Sequence, residues 1–329
     1  MEGIPFDRLI NLQILYITSK NLKSHQFCQL FNLKELYITR DTLINIETNA
    51  FVGLVNLEKL DLSFNKLNVL KSNTFEGLIN LKHLDLESSN FNQIDNDSFK
   101  FLFNLEYLNL AGVHIQTLHA NMFEDLINLK HLNLIDFKAK KIIASLKLTC
   151  LHKLQINSSF FTANNNNNLH KMIDLNKINV ISFETKELND KDQIKLIKNF
   201  KELFINISPD KQLVELNETS VLNELIGIEK LVLTSIPGLD INHLSSPFNN
   251  LSNLIYLDLS GNKLCLTEKH ENIFKNLTNL DYLNLSYNQL IDLNLQFFIH
   301  IINLTYIKRF TLKDKLFTNL INLNVLDSK

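Results

Sequence analysis

Apolar residues fall along this chain in one recurring order, L-x-x-L-x-L, with starts at Leu12, Leu33, Leu57, Leu81, Leu105, Leu129, Leu151, Leu175, Phe200, Ile228, Leu254, Leu280, Leu304 and Leu323. From Leu33 to Leu129 the four successive intervals are all 24 residues. Alternation within a start, as at Leu60 and Leu62, is the period of a short strand with one buried face. A second apolar series recurs at the same interval in the segment that returns to the next strand: Phe51, Phe75, Phe99 and Phe123, each followed by Leu54, Leu78, Leu102 or Leu126. An asparagine stands before most starts, as at Asn32, Asn56, Asn80, Asn104 and Asn128. Each unit thus has two apolar edges that it cannot bury alone, so neighbours must stack into one continuous core. The pattern predicts a right-handed α/β solenoid with a parallel sheet on its concave face and irregular or short helical segments on its convex face. Strands set roughly 4.8 Å apart crowd one side, and bulkier return segments widen the other into a horseshoe arc.

The clearest unit reads Leu57-Glu58-Lys59-Leu60-Asp61-Leu62-Ser63-Phe64-Asn65-Lys66-Leu67, followed by Leu70, Phe75 and Leu78. It resembles the 24-residue typical class of the leucine-rich-repeat superfamily, and the unit from Leu280 to Asn303 matches as closely. The resemblance implies a non-catalytic module that binds another macromolecule, in a class common in extracellular proteins such as Toll-like receptor and adhesion ectodomains. It also implies a role for the ninth-position asparagine, here Asn65, Asn262 and Asn288, whose amide would bond the backbone of adjacent turns. Asp41, Ser89 and Ser159 are partial substitutes at that position; Val113, Phe137 and Phe183 are not, and local irregularity is expected at those turns.

The organisation expected is one repeat domain over residues 1–329. Repeats are regular from about 33 to 150, degenerate from about 151 to 250, where the spacings lengthen, and regular again from about 251 to 329. Helix-like spacing in Asp190 to Leu203 and Asn217 to Ile226 predicts convex-side helices in stretched repeats, with a separate inserted domain as the alternative. The run Asn164 to Asn168 reads as a low-complexity loop. The last repeat stops partway through a strand, so the natural protein is expected to continue.

Composition narrows the chemistry. A formal net charge of -2 and a pI near 6.6 provide no basic surplus for nucleic acid. No stretch of 18 apolar residues is uninterrupted, the best, Leu290 to Ile307, being broken by Asp292, Asn294, His300 and Asn303. The first residues, Met1-Glu2-Gly3-Ile4-Pro5-Phe6-Asp7-Arg8, have no basic and apolar leader pattern. Three cysteines, Cys28, Cys150 and Cys265, lie too many turns apart for a bridge and are expected to be buried free thiols. His83 and His131 share a column with Tyr107 between them, an arrangement that cannot converge on one ion. Asp61 and Asp85 line up on an open face, where a solvated ladder is expected rather than an acid/base pair. No nucleophile, phosphate-loop or metalloprotease motif is present. Neither cofactor nor metal is therefore expected. Eight N-x-[ST] sites, at Asn96, Asn157, Asn206, Asn217, Asn250, Asn276, Asn284 and Asn303, are compatible with secretion without arguing for it.

What remains is the sheet face. Residues between the core leucines point outward, so the third and fifth positions of each repeat form two columns, read through Lys177 and Asn179 in the unit at Leu175. Within the regular repeats the candidate ligand-binding residues are Tyr37, Lys59, Asp61, His83, Asp85, Tyr107, Asn109, His131 and Asn133, a mixture of aromatic, amide and charged groups that suits a polar protein epitope. The expected partner is another protein, ligand or co-receptor, met by a cell-surface or secreted receptor-like module. The alternative is an intracellular interaction scaffold in the cytoplasm. Oligomeric state is left open by the sequence.

Overall fold

A computed structural model describes residues 6–40, 42–143, 148, 150–157, 178, 180–184, 200–206, 222, 225–235, 247–290, 295–308 and 325–327. The chain divides into two compact units, Met1–Ile178 and Asn179–Lys329. Each is a parallel-strand solenoid, with one strand of the main sheet to each repeat.

In the first unit the strands are Ile14–Tyr16, Glu35–Tyr37, Lys59–Asp61, His83–Asp85, Tyr107–Asn109, His131–Asn133 and Lys153–Asn157. They pair in sequence order and in register, so that Leu15, Leu36, Leu60, Leu84, Leu108, Leu132 and Leu154 stand side by side. From Leu36 to Leu132 that row is completely buried. Behind it Phe27, Phe51, Phe75, Phe99 and Phe123 stack ring on ring, with centroids 6.3, 6.1, 6.2 and 5.9 Å apart. Strands repeat at about 4.8 Å, so each turn is a wedge, thin at the sheet and thick at the rings. The sheet side of this unit is therefore its concave side.

The second unit has strands Val180–Glu184, Glu202–Asn206, Lys230–Thr234, Tyr256–Asp258, Tyr282–Asn284, Tyr306–Lys308 and Val325–Asp327, also parallel and in sequence order. Its ring stack runs Phe248, Phe274, Phe298 at 6.4 and 6.5 Å. One start differs from expectation. The repeat that the pattern begins at Leu175 begins instead at Ile178, which is buried together with Ile181, and Val180 lies opposite Glu202. Val180 and Ser182 thus take the third and fifth positions assigned to Lys177 and Asn179, and Phe183 falls inside the strand rather than in the ninth position.

Two asparagine ladders satisfy the turns. Asn65 Nδ2 donates to the carbonyls of Ile38 (2.5 Å) and Leu62 (2.8 Å), while its Oδ1 accepts the Leu43 amide (3.0 Å). Asn262 and Asn288 make the matching donor bonds, to Leu233 and Leu259 and to Leu259 and Leu285. At Ser89 the hydroxyl donates to the Leu62 carbonyl at 2.8 Å, replacing one of those bonds. The second ladder consists of the asparagines that precede the strands: Asn32, Asn56, Asn80, Asn104 and Asn128 donate to the carbonyls of Ile10, Phe31, Val55, Ile79 and Phe103 of the preceding turn.

Where Val113 and Phe137 replace the ninth-position asparagine, both side chains are buried. The irregularity expected there takes a definite form: His114–His119 and Lys138–Ile143 become six-residue strands that pair with each other on the return side. Asp41 and Ser159 lie outside the described residues. Smaller return-side pairs join Asn21–Leu22 to Asn45–Ile46 and Val69–Leu70 to Gln93–Ile94. Short 3-10 helices at Phe6–Arg8, Ala120–Phe123, Glu268–His270 and Leu295–Phe298 account for most of the described helical content. The helix-like stretch Asp190 to Leu203 ends in the strand Glu202–Asn206; its residues 190–199, most of Asn217 to Ile226, and Asn164 to Asn168 lie outside the described residues.

Tight packing demands one glycine in particular. Gly53 has φ +98°, and a Cβ there would meet the Cys28 backbone at 2.6 Å. The cysteines correct an expectation. All three are free thiols, but Cys28 and Cys265 are exposed and Cys150 is half-buried, because each falls on a loop rather than in the leucine or phenylalanine rows. Among the described residues no helix is long and apolar enough to cross a membrane.

Candidate recognition surface

An in-register parallel sheet sets residue n beside its counterpart one repeat later, close enough for flat rings to stack. On the concave face of the first unit this produces two short ladders. Tyr16 and Tyr37 stack with centroids 4.4 Å apart and planes 6° from parallel, and the Lys59 ammonium lies 5.0 Å from the Tyr37 ring, within cation–π range. The Tyr37 hydroxyl donates to the Glu35 carboxylate. Farther along, His83 stacks on Tyr107 at 4.0 Å and 9°, and Tyr107 meets His131 edge-on at 5.4 Å and 80°.

Stacking removes these groups from water and suppresses their charge. His83 is held below its ordinary pKa by burial and then by the Lys59 charge. His131 is pushed down to about 4 by burial, Lys153 and His83. Tyr107 is pushed up to about 12 by burial and by the carboxylates of Asp85, Glu87 and Asp61. The three-ring ladder His83–Tyr107–His131 is therefore uncharged at neutral pH. His83 Nδ1 and His131 Nε2 are buried and make no hydrogen bond, a desolvation cost of ring stacking.

The fifth-position column is governed by its own backbone. Asp61 Oδ1 accepts the amide of Ser63, Asp85 that of Glu87, Asn109 that of Ala111 and Asn133 that of Ile135, at 2.9, 2.9, 3.0 and 3.1 Å. Asp258 and Asn284 do the same with Ser260 and Ser286. These side chains cap the end of each strand, as short Asx groups do in turns. Asn109, only 3% exposed, also donates to Asp85 at 3.2 Å and to Glu87 at 3.1 Å. Burial raises the Asp85 carboxyl above its ordinary pKa.

Of the nine residues expected to bind a ligand, Tyr37, Lys59, Asp61, His83, Asp85, Tyr107 and His131 share the concave face and are half-buried. Asn109 and Asn133 are brought to the same column but are buried and bonded to the turn that follows them. Glu87, two residues beyond Asp85, extends the acidic row and was missed, because strand alternation says nothing about side chains past the strand end. The second unit holds another three-ring ladder: Tyr256 on Tyr282 at 4.1 Å, and Tyr282 on Tyr306 at 4.6 Å. Lys230 lies 5.0 Å from the Phe204 ring and 4.6 Å from that of Tyr256. The tyrosines stood in the third-position column of the sequence, where a threefold recurrence was the available signal. Among the described residues no group of three or more His, Cys, Asp or Glu side chains is placed to hold a metal. Asn284 is buried, with its amide donating to Asp258 and its oxygen accepting from Ser286.

Similarity to known proteins agrees with this geometry. A family model described as leucine rich repeat matches residues 10–67, 31–91, 55–114, 79–136 and 245–290, together more than half of the chain. Among solved structures, one titled "Crystal structure of TLR13-ssRNA13 complex" superposes with a TM-score of 0.60 at 22% identity, covering 92% of this chain and 47% of that one. This chain thus spans about half the length of that protein. An internalin (inlF) from Listeria monocytogenes superposes with a TM-score of 0.51 at 18% identity, over 96% of this chain and 86% of that one. No curated protein gives a significant match. The repeat pattern, the stacked parallel turns and the family match together establish that this chain belongs to the leucine-rich-repeat family.

Proposed function

We propose that the concave face of the first unit recognises a protein ligand, as part of a non-catalytic receptor-like module at the cell surface or in the extracellular space. The observation that carries this reading is the ordered, uncharged ladder His83–Tyr107–His131 lying beside the acidic row Asp61, Asp85 and Glu87. Aromatic side chains already immobilised by stacking lose little conformational freedom on association, and such anchors usually carry most of the binding energy. The flanking carboxylates favour a polar or basic epitope over a polyanion. The surface character of the module is supported by the titles of the two structural neighbours, a Toll-like receptor and an internalin. The same reading takes residues 1–329 as one repeat domain, since matching repeats lie in both units.

The test uses a partner selected from secreted and cell-surface proteins. Tyr107→Ala is expected to weaken binding by about 1 to 3 kcal/mol, whereas deletion of Asn164 to Asn168 leaves affinity unchanged. Unchanged affinity in the first variant and lost affinity in the second would move recognition off the concave face.

A second reading, an intracellular scaffold, is favoured by the exposed free thiols of Cys28 and Cys265, since thiols persist in reducing compartments. Expression of the natural gene with a fluorescent tag separates the two readings: a surface or secreted signal supports the first, a diffuse cytosolic one the second.

A further inference from the structure

The loop that leads into each strand carries an exposed apolar side chain in six successive turns of the first unit. These are Ile10, Phe31, Val55, Ile79, Phe103 and Ile127, each between 41% and 55% exposed. The fold does not require them. In the first five the structural duty of the position is performed by its carbonyl, which accepts the asparagine amide of the next turn. In the second unit the polar Ser252 and Thr278 do the same for Asn279 and Asn303, as the exposed Ile226 does for Asn253. A row of this length exceeds the scattered single apolar residues of ordinary surfaces and marks an association site.

Beside it runs a row of alternating charge, the second position of each repeat: Gln13, Lys34, Glu58, Lys82, Glu106 and Lys130. Lys82 bonds Glu58 at 2.8 Å and Lys130 bonds Glu106 at 2.9 Å within the chain. A shallow groove follows this row from Asn11 and Gln13 to Asn80 and Lys82.

The alternation selects the occupant. A partner of one sign would be repelled at every second turn. A second copy, turned end for end about a two-fold axis between Val55 and Ile79, meets the opposite sign throughout. Ile10 then faces Ile127, Phe31 faces Phe103 and Val55 faces Ile79. In the charged row Lys34 faces Glu106, Glu58 faces Lys82, and Gln13 faces Lys130. Sliding one copy by a single turn sets like charges against each other, so the register is fixed as well as the orientation. We propose that the chain self-associates through this flank as an antiparallel, two-fold dimer. Five intervals of strand spacing make the strip about 25 Å long, which places it at the small end of specific interfaces. A reversible dimer with a dissociation constant on the order of micromolar is the consequence.

Sedimentation velocity on the full chain tests this. Wild type should show concentration-dependent dimerisation, and Ile79→Lys, a surface change whose folding is checked by its melting curve, should abolish it. Glu58→Lys and Lys82→Glu should each weaken the dimer at least tenfold, because the axis repeats the Glu58–Lys82 contact twice. An equimolar mixture of those two variants should recover it, since each supplies the sign that the other lacks. A wild type that stays monomeric up to about a hundred times the expected micromolar constant, a dimer that survives Ile79→Lys, or a mixture that fails to recover would each overturn the proposal.

Discussion

At the scale of single residues, burial in a stacked ladder decides both stability and titration. Leu84 sits in the centre of the leucine row with no exposure; Leu84→Asp adds an unpaired buried charge to a lost apolar group and should cost at least about 4 kcal/mol, read as a fall in the denaturation midpoint. A melt within a degree or two of wild type would contradict the register. His131 makes a pH prediction whose sign follows from its depressed pKa. The unfolded chain takes up this proton near 6.5 and the folded chain only near about 4, so the group withdraws stability as pH falls through that window and nothing further below it. His83 acts in the same direction. Asp85 acts oppositely, since its raised pKa lets the folded chain accept a proton first. The melting temperature of His131→Gln should therefore fall less steeply than that of wild type between pH 6.5 and about 4; identical slopes would refute the buried neutral imidazole. Outward alternation was legible in the sequence for Lys59, His83 and Tyr107. The burial of Asn109 and Asn133 was not, because an Asx side chain that folds onto the amide two residues later leaves no mark on hydrophobic periodicity.

At the scale of the repeat, legibility followed the strength of the punctuation. Units with a ninth-position asparagine, such as those at Leu57 and Leu280, were placed correctly because the asparagine fixes where the strand ends. The unit read from Leu175 slipped by three residues, since Leu175, Ile178 and Ile181 offer two overlapping L-x-x-L matches and no asparagine breaks the tie. The return side was the least legible. Its packing comes from phenylalanine stacking and short strand pairs, and a two-residue strand carries no period. Gly53 gives this scale its own test. Its positive φ and its approach to the Cys28 backbone mean that Gly53→Ala should lose about 2 kcal/mol or more. Gly227, around which a Cβ would meet nothing within 4 Å, should accept the same change with a gain of a few tenths. Equal effects in chemical denaturation would show that the Gly53 contact carries no weight.

At the scale of the whole chain, all three cysteines are free thiols. Alkylation of the native, unreduced protein should block Cys28 and Cys265 quickly and Cys150 more slowly, with all three blocked after unfolding; mass spectrometry that found any intrachain bridge would break the layout. The family could be read from the sequence because repetition multiplies a weak local signal until chance cannot produce it. The recognition face was legible only in part. Which outward residues are ordered, neutral or tied to a neighbouring turn depends on contacts between residues a full repeat apart.

The wedge shape of each turn, with its rings stacked behind a single short strand, also bears on mechanics. Adjacent turns hold each other through backbone bonds on the sheet side and in short return-side pairs and through the asparagines that precede the strands, so a force applied along the stack of the first unit meets its resistance one turn at a time. Peeling a 24-residue turn releases about 80 Å of extended chain. The first unit is therefore a compliant element that lengthens in steps under load, a property that a ball-shaped domain with a single shared core does not have.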